Sequence, residues 1–465
     1  MKTQRPYPEY KDSGVEWLGP IPAHWVCGPI YSRYAVQLGK MLDGSQITGE
    51  HLCSYLRNVD VQWGRVNTYN LPQMDFSPAD RIRFALRRGD LLVCEGGEVG
   101  RAAHWLGELD ECYYQKAIHR LRPFSPAEEP RFMFYVLLYA AKLGVFVAGG
   151  NPNTIDHLPA EKLRKYRFPF PPSDEQRPIA VFLDRETARI DGLVAKKERL
   201  VELLQEKRAA LISHVVTKGL NPDAPMKDSG VEWLGQIPAH WSHKPLRRYT
   251  QSMCDGPFGS DMKSSHYADS GVRLIRLQNI EQGYFDDGDK VFIPESHFQS
   301  LPGHDALPGD LLVAGLGDAS HPVGRACLLP VHIERAMVKA DCFRVRLDQE
   351  RLTHGFTMHF LCSSAARAAV SDQIRGATRE RMNLSGLASI GILVPPISEQ
   401  RAISDAIVQQ TAKLDALIAK TQRSIERMQE YRTALISAAV TGKIDVRQPP
   451  ASASGVDMLV SRPRA

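Results

Sequence analysis

Residues 11–25 read Lys11-Asp-Ser-Gly-Val-Glu-Trp-Leu-Gly-Pro-Ile-Pro-Ala-His-Trp25, and this stretch returns almost unchanged as Lys227 to Trp241. Fourteen of the fifteen positions are identical, and only Pro20 becomes Gln236. We call each copy the leading motif. Self-similarity at a fixed spacing is the sequence sign of a repeated structural unit. The stretch therefore predicts that the chain of 465 residues folds as two copies of one module.

Two further pairs of segments repeat downstream of the leading motifs. Gly89-Asp-Leu-Leu-Val93 returns as Gly309 to Val313, and Pro171-Pro-Ser-Asp-Glu-Gln-Arg177 corresponds to Pro395-Pro-Ile-Ser-Glu-Gln-Arg401. The offset between the copies grows from 216 residues at the leading motif to 224 at the last pair. Insertions therefore lie in the divergent segments, and the order along the chain is leading motif, variable segment, helix, and then the same again.

A long helix is predicted after each Pro-Pro-x-x-Glu-Gln-Arg segment, because apolar residues recur there every seven positions, the coiled-coil period. A helix of about 40 residues is roughly 60 Å long, which exceeds the diameter of a domain of about 150 residues. Pairing of the two helices therefore explains the pattern better than the alternative, in which each helix packs on its own domain. The polar residues Lys197 and Thr421 interrupt the two stripes. The predicted apolar stripe residues are Leu183, Ile190, Leu204 and Leu211 in the first helix and Ile407, Leu414, Met428 and Leu435 in the second.

The segments between motifs and helices are each of single-domain size and mixed in secondary structure. Gly89 to Cys94 predicts a short apolar strand after a turn, and Phe132 to Tyr139 predicts a buried helix. In the second copy, Val272 to Leu277 alternates like a half-buried strand, and Arg351 to Val370 predicts one helix.

Several polar residues of the variable segments are candidates for contacts with DNA. Arg, Asn and Gln side chains read guanine and adenine edges, and Arg and Lys neutralise phosphates. Arg57-Asn58 and Gln278-Asn279 occupy what look like equivalent places, while the others lie in Arg-rich, Gly-rich or polar loop segments. The alternative for each is a structural role in a capped turn or a solvated loop. The candidates are Arg57, Asn58, Arg81, Arg83, Arg101, Asn151, Asn153, Lys263, Gln278, Asn279, Arg325, Arg375, Arg379 and Arg381.

Composition and missing motifs limit the possible functions. The net charge of +5 is compatible with a nucleic-acid partner but does not demand one. The sequence has no long apolar run typical of a membrane span and no leader-like N-terminus, so a cytoplasmic location is expected. It also lacks a phosphate-binding loop, a dinucleotide fingerprint and paired metal-binding histidines. We therefore expect neither a catalytic centre nor a metal site in this chain.

The order of variable segments and helices, with both copies of both motifs, resembles the specificity (S) subunit of type I restriction–modification systems. The resemblance rests on Ser13 to Trp25, Ser229 to Trp241 and the two Pro-Pro-x-x-Glu-Gln-Arg segments, and it covers nearly the whole chain. It implies an α+β fold with a pseudo-two-fold internal repeat. Two target recognition domains would each read one half of a split DNA site, and two long helices would pair as an antiparallel coiled coil that sets the spacer.

The same resemblance implies partners and cofactors. Two methyltransferase (M) subunits would bind S-adenosylmethionine and methylate adenine, and restriction (R) subunits would use ATP and magnesium; none of these cofactors is expected in this chain. A stand-alone bipartite DNA-binding regulator and a coiled-coil scaffold joining two protein-binding modules are the alternatives.

The domains expected are a leading motif at 1–25, recognition domain 1 at 26–170, spacer helix 1 at 171–226, the repeated motif at 227–241, recognition domain 2 at 242–394, spacer helix 2 at 395–447 and a disordered tail at 448–465.

Overall fold

The computed structural model describes residues 5–41, 48–147, 157–318, 320–374 and 380–447. The chain divides into two compact units, of which unit 1 comprises Met1–Lys196 and Ser424–Ala465 and unit 2 comprises Lys197–Arg423. Each unit contains strands and helices, so the predicted α+β class is confirmed. The finer domain boundaries stay a prediction.

Each unit is built around a four-stranded antiparallel sheet with the same strand order. In unit 1 the order is Ala102–His104, Leu91–Cys94, Ile118–Pro123 and Tyr34–Leu38, and in unit 2 it is Ala326–Leu328, Leu311–Ala314, Cys342–Leu347 and Thr250–Cys254. The repeated Gly-Asp-Leu-Leu-Val segment supplies an inner strand in both. Leu91 and Val93 point into one hydrophobic core and Leu92 and Cys94 into another. Burial on both faces explains why this strand is a continuous apolar run and does not alternate.

Smaller sheets complete each unit. Those of unit 1 are Tyr10–Asp12 with Pro20–Pro22, Val26–Pro29 with Arg167–Phe170, Val61–Gln62 with Arg65–Val66, and the three strands Tyr113–Tyr114, Leu52–Leu56 and Gln73–Asp75. Those of unit 2 are Met226–Asp228 with Gln236–Pro238, Ser242–Pro245 with Gly391–Val394, Leu316–Gly317 with Glu380–Arg381, and the four strands Val291–Ile293, Val272–Ile275, Ala336–Val338 and Asp305–Ala306. Contrary to the half-buried strand expected there, all four residues of Val272–Ile275 are buried, because the strand lies inside its sheet.

The shorter helices flank the sheets. They are Pro78–Phe84, Pro130–Lys142 and Ala160–Lys165 in unit 1, and Glu295–Ser300, His354–Leu361, Ser364–Ser371 and Leu384–Ser389 in unit 2. The prediction of one helix from Arg351 to Val370 is wrong, because the segment forms two. Ser363 separates them: its hydroxyl donates to the Phe360 carbonyl (2.6 Å) and accepts from the Ala366 amide (3.2 Å), which caps the second helix.

Two long helices follow the Pro-Pro segments, at Ser173–Lys218 (46 residues) and Ile397–Val440 (44 residues). Within unit 1, Arg432 of the second helix pairs with Asp191 of the first at 2.8 Å. Within unit 2, Arg208 of the first helix pairs with Asp415 of the second at 2.8 Å. Every predicted stripe residue is buried or half-buried, whereas the flanking Leu193, Leu200 and Leu417 are exposed.

The leading motif is bound to the start of the long helix in both units. In unit 1 the Glu175 carboxylate accepts from Trp25 Nε1 (3.0 Å), Tyr7 Oη (2.9 Å) and Arg447 (2.8 Å), and it lies 2.7 Å from His24 Nε2. In unit 2 the equivalent Glu399 accepts from Trp241 Nε1 (3.0 Å) and lies 2.8 Å from His240 Nε2.

The next residue of the same segment reaches the variable part of its unit. The side-chain carbonyl of Gln176 accepts from the Glu129 backbone amide (2.9 Å), and the side-chain carbonyl of Gln400 accepts from the Thr353 backbone amide (2.8 Å). Glu129 and Thr353 are the N-cap residues of the helices Pro130–Lys142 and His354–Leu361. The two repeated motifs therefore recur because they hold each module together.

Candidate nucleic-acid interface

A short 3-10 turn and a Gly-rich hairpin loop lie side by side in each unit. The turn is Asn58–Asp60 in unit 1 and Leu277–Asn279 in unit 2. The loop connects two strands of the four-stranded sheet and ends in Val-Gly-Arg, at Arg101 or Arg325. Six of the fourteen predicted contact residues lie in or directly beside these segments, namely Arg57, Asn58, Arg101, Gln278, Asn279 and Arg325.

One arginine in each unit fixes the turn to the loop. Arg101 Nη2 donates to the Asn58 carbonyl, and Arg325 Nη2 donates to the Leu277 carbonyl, both at 2.9 Å. Arg325 is 5% exposed and also donates to the carbonyls of Ile280, Leu316 and His321. Burial lowers the pKa of the Arg325 guanidinium. We call Arg101 and Arg325 the staple arginines. Their donors bind carbonyl groups of the fold, which favours the structural role over a contact with DNA.

The equivalence expected between Arg57-Asn58 and Gln278-Asn279 is wrong by two residues. The Arg57 amide donates to the Asp60 carboxylate, and the Arg276 amide donates to the Asn279 side-chain carbonyl, each at 2.8 Å. Arg57 therefore matches Arg276. The sequence pairs Asn58 with Asn279 because both are asparagines. The structure instead pairs Asn279 with Asp60, since these two residues cap the equivalent turns.

This alignment separates structural from exposed residues of the turn. Asn279 is fully buried and donates to the carbonyls of Asp286 and Asp289, while Arg57 forms a two-bond pair with Asp60. Asn58 is half-buried and donates to the Gly96 carbonyl at 2.8 Å. Gln278, by contrast, is exposed, and its side chain makes no hydrogen bond among the described residues.

The remaining candidates lie at the surface or outside the described residues. Arg83 and Lys263 are exposed, whereas Arg81 is half-buried beside Glu111, with 3.5 Å between the charged groups. Arg381 pairs with Asp341 at 2.8 Å and covers the Phe258 ring; its strand pairs with Leu316–Gly317, which brings it beside the hairpin loop of unit 2. Asn151, Asn153, Arg375 and Arg379 lie outside the described residues, and their assignment stays a prediction.

No group of three or more His, Cys, Asp or Glu side chains in the described ranges could hold a metal ion. No helix within those same ranges is long and apolar enough to cross a membrane.

Comparison with known proteins agrees with the family that the motifs indicate. Residues 61–202 match the family described as type I restriction modification DNA specificity domain. The specificity subunit of the MjaVIII type I restriction enzyme of Methanocaldococcus jannaschii is 23% identical over 67% of this chain and 70% of its own length. That of the EcoBI enzyme of Escherichia coli is 24% identical over 76% of this chain and 73% of its own.

Solved structures give the same result for the fold. A chain from a structure of the assembly and conformational transition of a type I restriction–modification system superposes with a TM-score of 0.71 at 15% identity, covering 91% of this chain and 99% of that one. The HsdS subunit from Thermoanaerobacter tengcongensis gives a TM-score of 0.54 at 15% identity, over 91% of this chain and 98% of that one. The predicted resemblance to type I specificity subunits is confirmed.

Proposed function

We propose that this relative of type I specificity subunits is the DNA-reading subunit of a cytoplasmic restriction–modification complex, with each variable segment reading one half of a bipartite site. The observation that carries the proposal is the pair of four-stranded sheets with identical strand order, each bearing a stapled turn whose exposed residues differ between the units. A common frame with different exposed side chains is what two readers of unlike half-sites require.

The long helices are proposed to pair antiparallel and to act as the spacer between the readers. Support comes from the reciprocal ion pairs Asp191–Arg432 and Asp415–Arg208. Asp191 and Asp415 are equivalent positions at the offset of 224, and so are Arg208 and Arg432. Reciprocal contacts between equivalent residues are the mark of two-fold pairing, in which residue i contacts j and j contacts i.

The exposed surface of the helices supports a pair of identical partners. Over 188–206 and the equivalent 412–430, the five buried or half-buried positions of the first helix all differ between the copies, whereas nine of the fourteen exposed positions are identical. Surface positions normally tolerate change better than buried ones. An external constraint therefore accounts for the identity, and two methyltransferase subunits that use the same surface would impose it.

Restriction subunits would join this complex, and S-adenosylmethionine, ATP and magnesium would bind in the partner subunits. This chain would then contribute recognition and no catalytic group. The purified chain should accordingly transfer no methyl group to DNA, while the chain with its methyltransferase subunits should methylate adenine at a two-part site. Methyl transfer by the chain alone, or equal site specificity of the methyltransferase without it, would contradict the proposal.

The partner surface has its own test, because it offers equivalent glutamates in the two units. Glu202 and Glu206 in unit 2 are exposed, and their equivalents Glu426 and Glu430 lie in unit 1. The double variant Glu202→Lys with Glu206→Lys should leave one bound methyltransferase subunit, as measured by the mass of the complex. The four-fold variant, which adds Glu426→Lys and Glu430→Lys, should leave none. Two bound subunits in the four-fold variant would contradict this assignment.

A further inference from the structure

The turn of unit 2 forms one wall of an open polar cup of about 360 Å³. Gln278 and Glu281 line it from the turn side, and Asp318 and His321 line it from the hairpin loop; Arg325 also contributes to the lining. Because the staple arginine binds carbonyls of both walls, the cup is held in one shape without help from a ligand. Such preorganisation favours specific binding over nonspecific binding.

The exposed side chains of the cup are polar, and they have donor and acceptor positions that no protein group among the described residues occupies. The Gln278 side chain is exposed and makes no hydrogen bond among the described residues. The Asp318 carboxylate accepts the amides of Ser320 and His321 with one oxygen, each at 2.8 Å, and these bonds lower its pKa. The His321 ring lies 3.5 Å from Asp318 and 4.0 Å from Glu281.

Unit 1 has the same frame with different exposed chemistry. Since Arg57 matches Arg276, Gln278 is replaced by Val59, which is 62% exposed. The offset grows from 220 to 224 between the Gly-Asp-Leu-Leu-Val strand and the Val-Gly-Arg segment, so the loop of unit 2 is four residues longer. Glu98, in the shorter loop of unit 1, accepts from Trp63 Nε1 at 2.5 Å.

We propose that the residue in the middle of the stapled turn, Val59 in unit 1 and Gln278 in unit 2, reads a base edge of the DNA major groove. This inference rests on the proposed function and assigns the reading side chain in each half. A glutamine amide pairs with the N6 and N7 atoms of adenine, whereas an apolar side chain contacts the methyl group of thymine. Gln278 therefore selects adenine in one half-site, and Val59 selects thymine in the other.

The test selects bound sequences from a randomised duplex DNA library, using the full chain in complex with its methyltransferase subunits. Gln278→Ala should lower one base preference in one half-site by about tenfold or more and leave the other half unchanged. Val59→Ala should weaken a thymine preference in the opposite half. Gln278→Arg should move the affected preference from adenine to guanine, which a merely structural role would not produce.

The matched control is Gln299→Ala, an exposed glutamine of unit 2 outside the cup, which should keep every wild-type preference. Unchanged preferences in Gln278→Ala, or an equal loss in both halves, would overturn the inference. Weaker binding of all sequences alike would also overturn it, because it would indicate a phosphate contact. If the wild-type complex enriches no two-part sequence, the proposed function itself fails, which is a distinct outcome.

Discussion

One glutamate in each unit binds the Trp and His of the leading motif and so accounts for part of the sequence repetition. Glu175 and Glu399 occupy equivalent positions, but Glu175 is 2% exposed and serves four donors, whereas Glu399 serves two. The same motif therefore bears more hydrogen bonds in unit 1, where Tyr7 and Arg447 join it. Residue identity between repeats does not imply equal contribution to stability.

The two glutamates form a matched pair of mutations. Glu175→Ala should lower the free energy of unfolding by about 3 kcal/mol, because several buried donors lose their acceptor. Glu399→Ala should cost about 1 kcal/mol, since its site is more open. Denaturant unfolding of the full chain measures both. Equal losses would mean that the additional donors of unit 1 contribute nothing.

His119 makes the stability of unit 1 depend on pH. It is fully buried, with Nε2 at 2.6 Å from the Leu158 carbonyl, and burial lowers its pKa to about 4. The unfolded chain, with a histidine pKa near 6.5, binds the proton more readily, so folding stability falls as the pH drops from 6.5 towards 4. This single group should remove about 2 kcal/mol between pH 7 and pH 5.

His119→Gln keeps an amide donor but cannot titrate, so its free energy of unfolding should fall less than that of the wild type between pH 7 and pH 5. His51→Gln is the control, at an exposed histidine of unit 1 whose ring makes no ion pair among the described residues, and it should retain the wild-type pH dependence. An unchanged pH dependence in His119→Gln would show that other groups carry it.

At the scale of elements, the residues that are identical in the two long helices over 188–206 and 412–430 lie on the exposed faces. Packing alone would favour identity at the buried positions instead. Four of the five seam positions over 188–206 exchange Ile, Leu, Val and Met, as volume-conserving core substitutions allow, and the fifth exchanges Lys197 for Thr421. Nine of the fourteen exposed positions keep their residue, including the charged Arg199 and Glu202. Packing therefore sets only the hydrophobic character of the seam, while the exposed face follows a different requirement.

The reciprocal ion pairs test the antiparallel pairing of these helices. Arg432→Asp places two carboxylates together and should lower the free energy of unfolding by about 0.5 kcal/mol, a small value because the pair is partly exposed. Adding Asp191→Arg should restore most of that loss. The equivalent double reversal at Arg208 and Asp415 should behave alike. Additive losses in either double variant would contradict a direct pairing.

The sequence alone predicts the repeated elements. It does not predict the burial or the role of a side chain where these depend on contacts between distant parts of the chain. Periodicity and the repeated motifs locate the long helices and the Leu91–Cys94 strand, because those signals are local. They could not reveal that Arg325 is buried or that Asn279 is a cap, since both depend on carbonyls brought together by the fold. The exposed Gln278 was among the predicted contacts, but Val59 was not, because an apolar residue next to an apparent Arg-Asn reader gives no polar signal.

At the scale of the whole molecule, the proposed function implies a shared frame that carries two divergent readers. The leading motifs, the Glu-Gln pairs and the staple arginines recur, and the exposed parts of the turns and loops do not. A chain made in this way should accept a reader from either copy, because both readers attach to the same motifs through the same bonds.

The most direct measurement uses a chimera in which a second copy of residues 26–170 replaces residues 242–394. The complex of this chimera with its methyltransferase subunits selects DNA from a randomised duplex library. Both readers would then be the same, and two-fold pairing would present them in opposite directions. The selected site should become an inverted repeat of the half-site read by unit 1. Retention of the original two-part site by a folded, partner-bound chimera, or selection of no site by that chimera, would contradict the claim that each variable segment reads one half.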